Sequence, residues 1–236
     1  MKKNIFYTNI ITQRLNIRPL TIDDTTAMFE YTSNPIVTEH LSWEAHTDIS
    51  QPKRFIENVV NKVYVDNTEF TYGIELKSEK KLIGALKISN VCHHNKRGEF
   101  TSILNPKYQR KGYMGEAWQG LLKYCFCEVG LRRIQSLVTD DNIPSQNKNI
   151  KAGLLYEGRL RSYWLMKGIS KDALIYGITK KMYTENNNLI VPKDFVVYSI
   201  DNKISKKFEY KAYYNENSKS LYERTTRIFH DFWLNM

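Results

Sequence analysis

The run Tyr108-Gln109-Arg110-Lys111-Gly112-Tyr113-Met114-Gly115-Glu116-Ala117 places two glycines and two cations immediately before a helical pattern. A helix N-terminus leaves backbone N–H groups unpaired and carries partial positive charge, so a loop entering it can hold a pyrophosphate. Gly112 and Gly115 allow close backbone approach and positive φ, and Arg110 and Lys111 add charge. The same pattern also makes a tight turn with no ligand, so the flanking segments decide the reading.

Those segments alternate between strands and helices. Residues 10–18 read as one strand, and Thr21 with Asp24 resembles a capping box opening a helix to about residue 32. A second helix is expected over about 50–64, with Phe55, Val59, Val60 and Val63 on one face. Strands follow at about 70–76, 81–90 and 97–104, the last running into the glycine-bearing turn. That turn starts a helix to about residue 127, and a strand over 134–139, a helix over 144–152 and two final strands complete the pattern. The expected fold class is α/β (α+β): a mixed, mainly antiparallel sheet with helices on both faces.

Four ordered motifs carry a family resemblance over residues 8–183. Gln109-x-x-Gly112 resembles the Gln/Arg-x-x-Gly-x-Gly/Ala signature of the GCN5-related N-acetyltransferases (GNAT family), with Met114 at the third position and Gly115 one residue later. Arg14-Leu15-Asn16-Ile17-Arg18-Pro19-Leu20 followed by Asp23-Asp24 resembles the opening of the subfamily that acetylates ribosomal-protein N-termini. Asn142-Ile143-Pro144-Ser145 leading to Gly153-Leu154-Leu155-Tyr156-Glu157-Gly158-Arg159 is similar to its Asn-x-x-Ser helix start and following strand, and Gly168 with Asp172 and Tyr176 is similar to its entry to the last strand.

The resemblance implies acetyl-CoA as cosubstrate, bound by Gln109, Arg110, Lys111, Gly112, Tyr113, Met114 and Gly115 at its pyrophosphate and by Asn142 at its pantetheine arm. It implies direct transfer to an amine in a ternary complex, with no acyl-enzyme. Glu99, on the strand entering the turn, is the candidate base, and the alternative for it is an ion pair with Arg97 or another surface cation. Ser145 stands where the subfamily puts a serine near the CoA sulfur, where a hydroxyl could stabilise a leaving thiolate; Asn142 and Ser145 are equally good helix caps. Tyr156 and Tyr176 are alternative proton donors. Trp43, Glu44, His46, Tyr163 and Trp164 fall in segments that line the acceptor site in this family, and the tryptophans can equally plug the end of the sheet. The acceptor is a peptide N-terminal amine or a small-molecule amine. A non-catalytic acyl-CoA sensor is the other function class.

Composition is compatible with this picture. The 236-residue chain carries +10; residues 184–236 hold 8 Lys+Arg and 7 Asp+Glu, so +9 falls in residues 1–183, where it can steer polyanionic CoA. No block of basic residues interleaved with aromatics points to nucleic acid. Three cysteines without a Cys-x-x-Cys clip suggest reduced thiols in a cytoplasmic protein, adjacent His93 and His94 disfavour a shared metal, and no apolar run is long enough to span a membrane. Residues 184–236 form a separate C-terminal extension: a linker at 185–188, strands over 195–200 and 207–214, and an amphipathic helix from about 218 to 236 that packs back on the first domain, covers the substrate groove or forms a homodimer contact.

Overall fold

The computed structural model describes residues 9–62 and 68–186. The readings of Val63 and Tyr64, and of the C-terminal strands and helix, lie outside the described residues.

Neighbouring residues of the central strands enter opposite cores. Leu82 packs with Leu20, Met28, Tyr31 and Ile56, whereas Ile83 packs with Ala117, Trp118, Leu121 and Leu122. This period-2 alternation covers both faces of the sheet. The strands are β1 (Ile10–Ile11), β2 (Leu15–Pro19), β3 (Phe70–Leu76), β4 (Lys81–Cys92), β5 (Arg97–Leu104), β6 (Arg133–Thr139), β7 (Leu155–Met166) and β8 (Ile169–Thr179). They lie in the order β1-β2-β3-β4-β5-β6-β8-β7. Helices α1 (Thr25–Thr32) and α3 (Ser50–Lys62) serve one face, and α4 (Tyr113–Lys123) the other. The remaining helices are α2 (Pro35–Thr38), α5 (Ile143–Lys151) and α6 (Lys180–Asn186).

Three local expectations are corrected. Residues 10–18 form two strands, because Thr12 N donates to Leu15 O at 3.0 Å and turns the chain back, pairing Ile10 with Ile17. On α3 Ile56 is fully buried, about 100° around the helix from Phe55, whereas Phe55 and Val60 are each 40% exposed. The helix after the glycine-bearing turn changes from α to π geometry over Tyr124–Val129 and ends at Gly130.

All strand pairings are antiparallel except β5 with β6. That parallel pairing covers only Arg97–Glu99 against Arg133–Gln135. Beyond it β5 stays on β4 as far as Leu104, and β6 stays on β8 as far as Thr139. The two strands therefore splay. Their facing backbone edges, residues 100–104 and 136–139, are not paired with each other, which leaves main-chain donors and acceptors along the gap.

Candidate active site

At the open end of the splay, β5 runs through a short 3₁₀ turn at Pro106–Tyr108 into the loop preceding α4. Gly112 is the N-cap of α4 at φ +81°, a left-handed conformation that favours glycine, and Gly115 faces open space. Tyr113 and Met114 turn their side chains against the core, so their main chain is the part available to a ligand at the helix N-terminus. Arg110, at φ +60°, and Lys111 are exposed at the same place. Gln109 donates to Leu104 O at 3.3 Å, bracing the end of β5.

The loop is held from a distant part of the chain. Arg14 donates through Nε to Glu116 Oε2 at 2.6 Å and through Nη1 to Lys111 O at 3.0 Å, and its guanidinium lies 4.5 Å from the Tyr113 ring centre. The Arg14 amide and Thr12 Oγ1 both donate to Glu116 Oε1, at 2.7 and 2.6 Å. Burial pushes the Glu116 carboxyl up, but the hydrogen bonds from Thr12 and Arg14 hold it below the usual range. Composition gave no sign that Arg14 would serve as this clamp.

At the closed end of the splay lies a cavity of about 500 Å³ lined by Thr68, Asn90, Val91, Arg97, Glu99, Gln135 and Tyr163. It brings together Glu99 on β5 and Tyr163 on β7, strands on opposite sides of the splay. Glu99 is half-buried and accepts from Asn90 Nδ2 at 3.4 Å; no ion pair with Arg97 forms. The Arg97 side chain has no hydrogen-bond or ion-pair partner among the described residues.

Trp43, His46 and Trp164 are not part of this cavity wall. The Trp43 and His46 rings stack 4.8 Å apart, and His46 Nδ1 sits 2.9 Å from Thr32 Oγ1 at the end of α1, where burial lowers the imidazole pKa. Trp164 meets Tyr163 edge-on at 5.2 Å. The two segments nevertheless approach each other: Lys167, in the β7–β8 turn, donates to Thr38 O at 3.0 Å and lies 3.3 Å from Glu44.

Helix α5 flanks the gap. Asn142 caps it, its Oδ1 accepting from Ser145 N at 3.1 Å. One turn further in, Gln146 bridges Asp140 O and the Tyr176 hydroxyl, at 2.9 and 3.3 Å. Two residues on this helix were not singled out by sequence reading. Lys148 reaches across the gap and donates to Ser102 Oγ on β5 at 2.8 Å, its ammonium 4.6 Å from the Trp118 ring centre. Burial of that ammonium lowers its pKa to about 8. Asn149 is fully buried, and neither its Oδ1 nor its Nδ2 has a hydrogen-bond partner; Trp118 Nε1 also lacks one. The available signal was a lysine and an asparagine where an amphipathic helix presents its inner face. Orphaned buried amides are costly, so these groups fit a ligand that itself carries amides and passes along the gap.

Other motif residues serve the scaffold. Arg18 forks onto both Asp24 oxygens at 2.8 Å and reaches Glu75 at 2.7 Å. Arg159 ties Asp140, at the start of the α5 turn, to Asp172 on β8, at 2.7 and 2.5 Å. Cys92, Cys125 and Cys127 are unpaired, and burial raises the Cys125 thiol pKa. No group of metal-ligating side chains occurs among the described residues, and no described helix is long and apolar enough to cross a membrane.

Residues 14–154, which span the Arg14 clamp, the splay and α5, match the family model described as an acetyltransferase (GNAT) domain. The chain belongs to the GNAT family of acetyltransferases. Among GNAT relatives, an uncharacterized N-acetyltransferase YoaA of Bacillus subtilis is 31% identical over 72% of this chain and 95% of its own. The spermidine N(1)-acetyltransferase of Escherichia coli K12 is 24% identical over 72% of this chain and 88% of its own. A GNAT acetyltransferase from Bacillus anthracis superposes with a TM-score of 0.67 at 27% identity, covering 74% of this chain and 99% of that one. The mainly antiparallel sheet flanked by helices is thus the GNAT fold, and the protein is an acetyl-CoA-dependent N-acetyltransferase.

Proposed function

We propose that this GNAT protein transfers an acetyl group directly to a primary amine in a ternary complex, with acetyl-CoA along the splay and the amine in the Glu99 cavity. The observation carrying this reading is the arrangement along one gap: a helix N-terminus with two exposed cations at its open end and a carboxylate-bearing cavity where strand pairing closes it. Acetyl-CoA, when bound, supplies the acetyl group as a thioester. The first turn of α4 with Arg110 and Lys111 holds the pyrophosphate, and the Asn142 and Asn149 amides with the unpaired strand edges hold the pantetheine arm.

An amine must shed a proton before it attacks. The α-amino group titrates near ~8 and a lysine near ~10, so a base is needed at neutral pH. Glu99 accepts that proton, directly or through one water, while Asn90 fixes its carboxylate. Tyr163 supplies an aromatic wall for the acceptor.

The cavity also bears on acceptor class. Its charged lining is one carboxylate and one unpartnered guanidinium, which suits an amine carrying a nearby anion better than a polycation. The acceptor is accordingly an amino-acid-like amine or a peptide N-terminus rather than a polyamine. Initial-rate kinetics test the direct mechanism: intersecting double-reciprocal lines are expected, whereas parallel lines with an acetylated cysteine would overturn it.

A further inference from the structure

Lys148 is the anomaly of the site. Burying an ammonium is unfavourable unless it is paired or has work to do, and among the described residues no carboxylate forms an ion pair with it. The groups that meet it from the packed elements are Ser102 on β5 and the Trp118 ring on α4, both uncharged at neutral pH, and its neighbour on α5 is the orphaned Asn149 amide. Its side chain spans from α5 to the part of β5 that β6 has left, so the Nζ stands at the gap along which the CoA arm is placed. Ser102 is three residues from Glu99, roughly 10 Å along an extended strand, so the ammonium lies on the cofactor side of the base and not in the acceptor cavity.

We propose that Lys148 is the proton donor to the departing CoA sulfur, a role that rests on the acetyl-CoA reading above. The first proton of the acceptor ammonium has by then passed through Glu99 to solvent; the neutral nitrogen forms its bond to the carbonyl carbon and gives its second proton to the again-ionised Glu99. The carbon–sulfur bond breaks with its electron pair remaining on sulfur, and Lys148 Nζ releases a proton to that sulfur, giving CoA thiol and a neutral amine. The proton held by Glu99 passes to solvent and one from solvent restores the ammonium, so charge and atoms balance. The ordinary thiol range, near ~8.5, lies close to the value of about 8 to which burial brings Lys148, and such matching suits proton transfer between the two. Ser102 and the Trp118 face hold the ammonium in place while it is charged.

Calorimetric binding of CoA and of desulfo-CoA, which lacks only the sulfur, tests this without an acceptor. The wild-type protein should prefer CoA, and the preference should grow from pH 6.5 to pH 8.5, reaching about tenfold as an ammonium–thiolate pair becomes available. Lys148→Met should bind desulfo-CoA as the wild type does but lose the preference and its rise with pH; Lys148→Gln provides a second neutral variant if the first folds poorly. Lys148→Arg, which keeps the charge, should retain the preference. Equal wild-type affinities for the two ligands, or a preference that survives in the neutral variants, would overturn the role of Lys148 and leave the acetyl-CoA site standing. Failure of the wild type to bind either ligand would overturn that site itself.

Discussion

The two ends of the splay are built differently. At the open end, the glycine-bearing loop is a contiguous stretch of chain fixed by a helix start and by the clamp of Arg14 with Glu116. At the closed end, the cavity draws Thr68, Asn90, Glu99, Gln135 and Tyr163 from separate segments, and among the described residues its carboxylate accepts one long hydrogen bond, 3.4 Å from Asn90. A braced, local loop suits an invariant cosubstrate. An assembled polar cavity suits an acceptor that differs from one relative to another, because side chains there can change without disturbing the loop.

If that division is correct, substitutions at the two ends separate affinity from turnover. Gly112→Asp should have the largest effect: a residue with a Cβ is strained at φ +81°, and the new carboxylate would oppose the pyrophosphate. CoA affinity measured by calorimetry should fall by more than about 10²-fold. Glu99→Gln should lower kcat by about 10²-fold at neutral pH while CoA affinity stays within about twofold. An equal loss in both parameters would erase the distinction between the ends.

Lys148 links the two ends and carries a stability cost. Its folded pKa of about 8 lies below the lysine reference, so the native state binds fewer protons than the unfolded chain between about pH 8 and pH 10.5. Stability should therefore rise with pH across that window. Lys148→Met, freed of a cost on the order of 3 kcal/mol, should be more stable than wild type at pH 7 and lose that advantage by about pH 10.5. Urea unfolding at the two pH values measures this, and a pH-independent difference would contradict it. Arg14→Ala should have the smallest effect, weakening CoA by roughly five- to tenfold, since it loosens the loop without entering the ligand space. An unchanged affinity would show that the loop needs no clamp.

How much of this was legible in the sequence follows the same division. The loop after β5, the strand leading into it and the alternating order of elements were readable because each is local, and glycine, capping and periodicity signals report local geometry. The hairpin break at Thr12–Arg14 was not, because Glu116, about a hundred residues away, captures that turn. The buried position on α3 falls at Ile56 and not at the expected Phe55, because a helix face defined by four apolar residues is uncertain by one position. Glu99 and Tyr163 are separate candidates in the sequence, and nothing in the chain indicates that one cavity holds both. Lys148 and Asn149 went unremarked because a polar residue on a short helix reads as surface until packing shows what covers it.

The central claim is that the gap joins an acetyl-CoA site to an amine site through Glu99. Its most direct test is release of CoA thiol from acetyl-CoA across free amino acids, short peptides with acidic and basic N-terminal residues, aminoglycosides and spermidine, with Glu99→Gln run in parallel. Amine-dependent release that favours acceptors carrying an anion and collapses in Glu99→Gln is the predicted result. Release that proceeds undiminished in Glu99→Gln, or that is supported by spermidine in preference to every anionic acceptor, would contradict it.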